Sequence, residues 1–198
     1  MTRGLSLVVL AGGRSRRMGA DKATLATDGQ TLTARIIERL GPVAGEIIVA
    51  AGDNQLEPGA GRVIQDQFHG AGPLAGIHAG LRAAAFENAW VVACDYPDVN
   101  PAIGLLLLQA VSGFDAAVPL IAGRPQGVCA VYNVRLASRI ERLIASGRRS
   151  VGALLDSCRV RYLDEAEVRQ VDAQLGSFRN LNTPADYEDW VRSRQARR

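Results

Sequence analysis

The chain is poor in the residues that hold transition metals or knit a disulfide framework. It has two histidines, His69 and His78, and three cysteines, Cys94, Cys129 and Cys158, with no Cys-x-x-Cys pair. An odd, widely spaced set of thiols and so few imidazoles exclude a cystine scaffold and a zinc site; the cysteines read as reduced core thiols. Aromatic residues are only 5% of the composition. With so much alanine, that favours helices packed on a sheet over an all-β sandwich. No apolar run approaches the roughly 20 residues a bilayer span needs. The opening MTRGLSLVVLAGG carries a short apolar run that leads straight into a charged loop, unlike a secretory leader. The protein is therefore expected in the cytoplasm, with no membrane partner. The net charge is +3, but no zinc-finger, RRM or basic-zipper pattern accompanies it, so nucleic acid is not an expected partner.

What the chain does have is alternation. Leu5–Ala11 is a continuous β-rich run, as for a strand buried on both faces. Thr31–Leu40 carries a helical stripe at Leu32, Ile36, Ile37 and Leu40. Further strands are expected at 46–51, 62–65, 90–93, 116–120 and 128–132, and helices at 74–85, 101–111 and around 136–144. Thr183-Pro184-Ala185-Asp186 looks like a helix start, with a capping threonine, proline in the first turn and an acid near the positive helix end. Such alternation implies an α/β fold with a mostly parallel central sheet. The 198 residues suit one domain over the whole chain, with the basic tail from about residue 191 read as a solvated, frayed end.

Three stretches carry candidate chemistry. LAGGRSRRMGADK, from Leu10 to Lys22, follows a buried strand, and ligands collect at such strand ends. Gly12 and Gly13 allow close backbone approach, successive N–H groups make an anion pocket, and Arg14, Arg16, Arg17 and Lys22 add positive charge. A triphosphate is the natural guest. The stretch is neither a P-loop nor a dinucleotide fingerprint: five residues separate Gly13 from Gly19, alanine follows, and no Gly-x-Gly-x-x-Gly occurs. Asp95 ends the strand WVVA before Tyr96-Pro97. A carboxylate there either holds Mg2+ with water and phosphate oxygens, or serves as a turn acid before proline. Gly72-Pro73-Leu74-Ala75-Gly76 opens a helix whose N-terminus favours acceptors and negative charge. Asp66, just past a strand, is either a partner for a base or ribose or a turn cap. Arg148-Arg149 is either a phosphate contact or a solvated helix end. Asn180 and Asn182 flank Leu181, so in an extended segment they share a face.

Taken in order, these pieces resemble the nucleotidyltransferase family that includes molybdenum cofactor guanylyltransferase. The matching residues are LAGGRSRRMGADK, GPLAGI at 72–77, CDYP at 94–97, RPQ at 124–126 and FRNLNTPADY at 178–187. The resemblance implies a three-layer Rossmann-like nucleotidyltransferase fold. It implies transfer of GMP from GTP to the terminal phosphate of the molybdopterin cofactor, with pyrophosphate leaving and the guanine dinucleotide form as product. In that family Leu10, Ala11 and Gly12 correspond to nucleotide-binding positions, Lys22 to the phosphate-binding lysine, and Asp66 and Asp95 to nucleotide-site acids, with Asp95 also the magnesium ligand. Arg17, Gly72, Gly76, Asn180 and Asn182 match positions linked to function. Related cytidylyltransferases tend to carry Leu-Ala-Ala-Gly where this chain has Leu-Ala-Gly-Gly, which favours guanine. Two departures stand out: Ala50 occupies a position where some members have a nucleotide-touching asparagine, with Asn54 a few residues on, and VCAVYN fits the family loosely.

The implied mechanism is an in-line displacement at the α-phosphorus by an already ionised acceptor phosphate. Lys22, Arg17 and Mg2+ on Asp95 would offset charge on the leaving pyrophosphate. Arg148, Arg149, Asn180 and Asn182 are the candidate acceptor contacts. Transient contact with other cofactor-biosynthesis proteins or with apo-molybdoenzymes is also expected. The rival readings are a cytidylyltransferase or other transferase of the same fold, and a non-catalytic protein that binds nucleotide or cofactor.

Overall fold

The computed structural model describes residues 4–12, 26–27, 30–52 and 61–195. Its centre is β1 (Leu5–Leu10), six residues all buried. Side chains alternate along a strand, so Leu7 and Val9 enter one apolar cluster while Val8 and Leu10 enter another. A short antiparallel pair follows, β2 (Ala26–Thr27) and β3 (Gln30–Thr31). Helix α1 (Leu32–Leu40) starts where the Thr31 hydroxyl accepts the Ala34 N–H, and it buries the expected apolar stripe. Then come β4 (Glu46–Ala50), β5 (Arg62–Ile64), α2 (Pro73–Ala83), β6 (Asn88–Ala93) and α3 (Pro101–Ala110). The second half adds β7 (Ala116–Ile121), β8 (Arg124–Pro125), β9 (Cys129–Asn133), α4 (Ala137–Ala145), α5 (Val151–Leu155), β10 (Val160–Leu163), α6 (Glu165–Arg169) and α7 (Pro184–Gln195).

The main sheet runs β10-β7-β9-β6-β1-β4-β5, with β8 paired to β7. β9 is antiparallel to both neighbours and β8 is antiparallel to β7, while the other pairs are parallel. One cluster joins the sheet to α1, α3 and α6, and the other joins it to α2, α4 and α5. This is the α/β/α layering that an alternating chain produces. The chain leaves β1 for β4 and β5 on one side, then returns over α2 to β6 on the other. That reversal leaves a crevice outside the carboxyl ends of β1 and β6, the ligand position in open α/β sheets.

Helix α2 lies very close to the sheet. A methyl group at Gly80 would meet Val8 Cγ1 at 2.3 Å, and one at Gly76 would meet Leu10 Cδ2 at 3.0 Å. The helix can approach β1 this closely only with small residues on its inner face.

The expected strands and helices appear with ends shifted by no more than about two residues. The sequence reading did not anticipate α5, β10 or α6, whose four or five residues are too short to display a period. A local signal for α6 was present: Asp164 and Glu167 form a capping box, each side chain bonded to the other residue's N–H. Where a frayed tail is expected from about residue 191, α7 continues to Gln195. Trp190 is buried against Leu32 and Leu181, and its Nε1 donates to Asp98 Oδ2 at 2.6 Å. The Arg35 guanidinium bridges to Asp98 at 3.1 Å, and both Arg35 and Arg194 stand over the Trp190 ring. These contacts tie the last helix to α1 and to the turn after β6.

Candidate active site

At the top of β1 the backbone of Ala11 and Gly12 continues the pairing with β4, each N–H donating to Ala50 O at 2.9 and 3.0 Å. The exits of β1 and β4 then approach so closely that a methyl group on Gly12 would stand 2.8 Å from Gly52 Cα and N. Gly52 itself has φ +60. Asp66, at the exit of β5, fills the next gap. Methyl groups built on Gly52 and Gly76 would lie 3.7 Å from its Oδ2 and Oδ1 respectively. Gly72 caps α2 at φ 61 and ψ −149, a region essentially reserved for glycine. A side chain there would enter open space, so backbone conformation rather than packing selects the residue. Leu10, Ala11, Gly12, Asp66, Gly72 and Gly76 thus gather at one rim of the sheet. Gly13, Arg14, Arg16, Arg17, Lys22 and Asn54 lie outside the described residues.

The exit of β6 adjoins that rim, because the Cys94 N–H donates to Leu10 O at 3.1 Å. Asp95 follows, half-buried. Its carbonyl accepts the Leu181 N–H at 2.8 Å, which pins the segment 180–182 against the strand end. Leu181 is fully buried against Leu32 and Trp190. Asn180 is half-buried and Asn182 exposed. Beyond them, Asp186 Oδ2 accepts the N–H groups of Asn182 and Thr183 at 3.0 and 2.8 Å. Those bonds hold the Asp186 carboxyl below the usual carboxylate range, the Thr183 contacts counting most. The cluster therefore contains Asp95 and Asn180. Arg148 and Arg149 lie exposed in the turn between α4 and α5, where the Arg148 N–H donates to Leu143 O at 2.9 Å.

Two residues beside Asp95 had no role in the sequence reading. Tyr96 is buried, and its hydroxyl donates to Gln126 Oε1 at 3.2 Å. Burial first, then the Asp95 charge, raises the Tyr96 pKa well above that of free phenol, while the neighbouring Asn180 amide opposes this. The group is a neutral phenol at any physiological pH. The RPQ stretch pointed to Gln126, but only the β7–β8 turn, with Ala122 and Gly123 both at positive φ, shows how it folds back to Asp95. Cys129 lies behind, its thiol pushed up to about 12 by burial, which fits an unreactive core thiol.

Among the described residues no group of three acidic, histidine or cysteine side chains forms a metal cage. Asp95 instead offers hard carboxylate oxygens at the strand end. One carboxylate completed by waters and substrate phosphates is the donor set Mg2+ commonly accepts, so the residues present fit that ion. A separate cleft of about 800 Å³ lies between α1, α7 and the 171–179 segment. Its Arg35 and Arg39 are engaged with Asp98 Oδ1 and Val99 O, so these two guanidinium groups tie helix to turn.

Residues 7–162 match the profile of the MobA-like NTP transferase domain. The chain is similar to a protein of Pelotomaculum thermopropionicum named "Probable molybdenum cofactor guanylyltransferase", 38% identical over 181 residues, which cover 90% of this chain and 88% of that one. It is also similar to the molybdenum cofactor guanylyltransferase of Desulfosudis oleivorans, 35% identical over 184 residues and 91% of each chain. Among solved structures it resembles molybdopterin-guanine dinucleotide biosynthesis protein A from Archaeoglobus fulgidus, with a TM-score of 0.83, 29% identity, and coverage of 98% of this chain and 100% of that one.

Proposed function

The chain belongs to the MobA-like NTP transferase family, and from that premise we propose that it transfers GMP from GTP to the terminal phosphate of the molybdenum–molybdopterin cofactor. The products are the guanine dinucleotide form of the cofactor and pyrophosphate. The observation that carries this reading is the joint placement of Gly12, Asp66, Gly72 and Asp95 on one rim of the sheet. The named relatives cover nine-tenths of the chain.

In the reaction, an ionised oxygen of the acceptor phosphate attacks the α-phosphorus. The bond from that phosphorus to the bridging oxygen breaks, and the pair of electrons leaves with pyrophosphate. No strong general base is required, because the nucleophile is already deprotonated near neutral pH. The rim glycines let the nucleotide approach the backbone. Asp66 stands where it can accept from ribose or base. Lys22 and Arg17 meet the phosphates and offset the charge on the leaving group. Mg2+, held by Asp95, would supply further charge neutralisation there. Asn180 and Asn182, and with them Arg148 and Arg149, form the acceptor side. The whole chain acts as one transferase unit in the cytoplasm and passes its product on by transient contact with cofactor-biosynthesis partners or an apo-molybdoenzyme.

The test is calorimetry with Mg2+ and each of GTP, CTP, ATP and UTP, followed by transfer to molybdopterin cofactor and identification of the nucleotide in the product. Preference for GTP and a guanine dinucleotide product are expected. Preference for CTP would assign a cytidylyltransferase instead. Tight GTP binding with no transfer would assign a non-catalytic carrier.

A further inference from the structure

The cleft of about 800 Å³ between α1, α7 and the 171–179 segment is lined by none of the residues placed on the sheet rim. Its lining holds four guanidinium groups, those of Arg35, Arg39, Arg179 and Arg194, against two carboxylates, those of Asp98 and Asp172. The four arginines come from three parts of the chain. Arg35 and Arg39 stand one turn apart on α1, a spacing that puts them on one face. Arg179 follows the 3-10 turn at Gly176–Phe178, and Arg194 lies in the last turn of α7.

Both acids are committed to the fold. Asp98 Oδ2 accepts from Trp190 Nε1 at 2.6 Å, and its Oδ1 accepts from Arg35 at 3.1 Å. Asp172 Oδ1 and Oδ2 accept the N–H groups of Gly176 and Ser177 at 3.2 and 2.8 Å. The arginines keep donors in reserve. A guanidinium carries five N–H groups; the tie from Arg35 to Asp98 uses Nη2, and the tie from Arg39 to Val99 O uses Nε. Arg35 Nε is buried and has no acceptor among the described residues. Arg39 and Arg179 are exposed.

The cleft therefore offers positive charge and donors in excess, while its carboxylates are taken. A matching ligand brings negative charge and acceptor oxygens. Two linked phosphoryl groups suit donors arriving from separate elements better than one does, because each can pair with a different guanidinium fork. A nucleobase finds no stacking partner: the described residues lining the cleft include no aromatic side chain, and Arg35 and Arg194 already stand over the Trp190 ring.

We propose that this cleft is a second, non-catalytic binding site for a small diphosphate, held by Arg35, Arg39, Arg179 and Arg194. The ligand is either inorganic pyrophosphate or the diphosphate end of a small organic molecule. The site stands apart from the transferase reading, and a failure of that reading leaves it in place.

The experiment is calorimetry on the full chain with inorganic pyrophosphate, methyl diphosphate and orthophosphate, and separately with GTP. Wild type is compared with Arg39→Gln/Arg179→Gln and with Lys22→Ala. The cleft variant should bind pyrophosphate roughly tenfold more weakly, from the loss of two charge-assisted contacts at an exposed site, with GTP affinity unchanged. Lys22→Ala should keep the pyrophosphate binding that the cleft variant loses. Arg179→Glu alone should weaken it in the same direction, so the test survives a double variant that folds poorly. Preference for inorganic pyrophosphate over methyl diphosphate identifies the free ion as the ligand, and equal binding identifies an organic diphosphate. Pyrophosphate binding that is absent from wild type, unchanged in the cleft variants, or abolished by Lys22→Ala overturns the inference. So does orthophosphate binding as tight as that of pyrophosphate, or an equal loss of GTP affinity in the cleft variants.

Discussion

On the rim assigned to the nucleotide, the residues that meet all come from the first half of the chain: Leu10 to Gly12 at the end of β1, Gly52 after β4, Asp66 after β5, Gly72 and Gly76 at the start of α2. Consecutive elements bring them together, and glycines let backbone approach backbone, as where a methyl on Gly12 would come within 2.8 Å of Gly52. On the rim assigned to the acceptor, the ties bring in the second half of the chain. Tyr96 reaches Gln126 across 30 positions, Trp190 reaches Asp98 across 92, and the Leu181 N–H reaches Asp95 O. The first rim is a product of winding within the first half of the chain. The second needs later segments to dock, α7 among them. A lesion in the first should therefore strike the nucleotide, and a lesion in the second the acceptor.

Asp95 sits where the two rims meet, so Asp95→Ala should lose most: a fall in turnover on the order of 10²–10³, with the fold intact, since the tie to Leu181 uses its backbone carbonyl. A variant that keeps most of its rate at ordinary Mg2+ would sink the metal-ligand role. Gly12→Ala comes next. Overpacking against Gly52 should cost about 1–3 kcal/mol by denaturant titration and weaken GTP binding more than acceptor binding; the reverse order would erase the distinction between the rims. Trp190→Phe removes the bond to the Asp98 carboxylate, for which about 2 kcal/mol is typical. It should raise the acceptor KM more than it weakens GTP binding, and equal effects on both would show that α7 supports the whole cleft. The smallest effect belongs to Asp186, whose folded pKa is lowered, chiefly by its Thr183 bonds. A lowered carboxylate contributes stability above its unfolded pKa of about 4, and loses it as pH falls through the folded value. The thermal-midpoint gap between wild type and Asp186→Ala should be present at pH 7 and narrow below about pH 4. A gap independent of pH would mean that the ionised cap is not what holds α7.

Much of the rim assigned to the nucleotide was legible in the sequence because those features leave local marks. A continuous apolar run announced β1, and Gly72-Pro73 announced the start of α2. The approach of Gly12 to Gly52 was not legible. The sequence linked Gly12 to close ligand approach and to guanine preference, and the structure adds its close packing against Gly52. The pair Asn180 and Asn182 was visible as a same-face pattern, but the buried Leu181 between them and its bond to Asp95 were not. Tyr96 lay within the CDYP motif but drew no role of its own, since a tyrosine before proline is ordinary loop chemistry until Gln126 arrives beside it. Arg148-Arg149 stood out as paired charge, and the structure places it in an exposed turn between α4 and α5.

The sequence by itself determined the layered α/β architecture and the mostly parallel sheet, because hydrophobic period and glycine punctuation act over a few residues. It also carried the family motifs that point to a nucleotidyltransferase. Only the tertiary structure decided that Asp95, Tyr96, Gln126 and Asn180 form one cluster. Their meeting depends on an antiparallel β9, a tight β7–β8 turn and a C-terminal helix anchored through Trp190. Those are contacts between distant segments, and their energy is set by packing that no local pattern encodes.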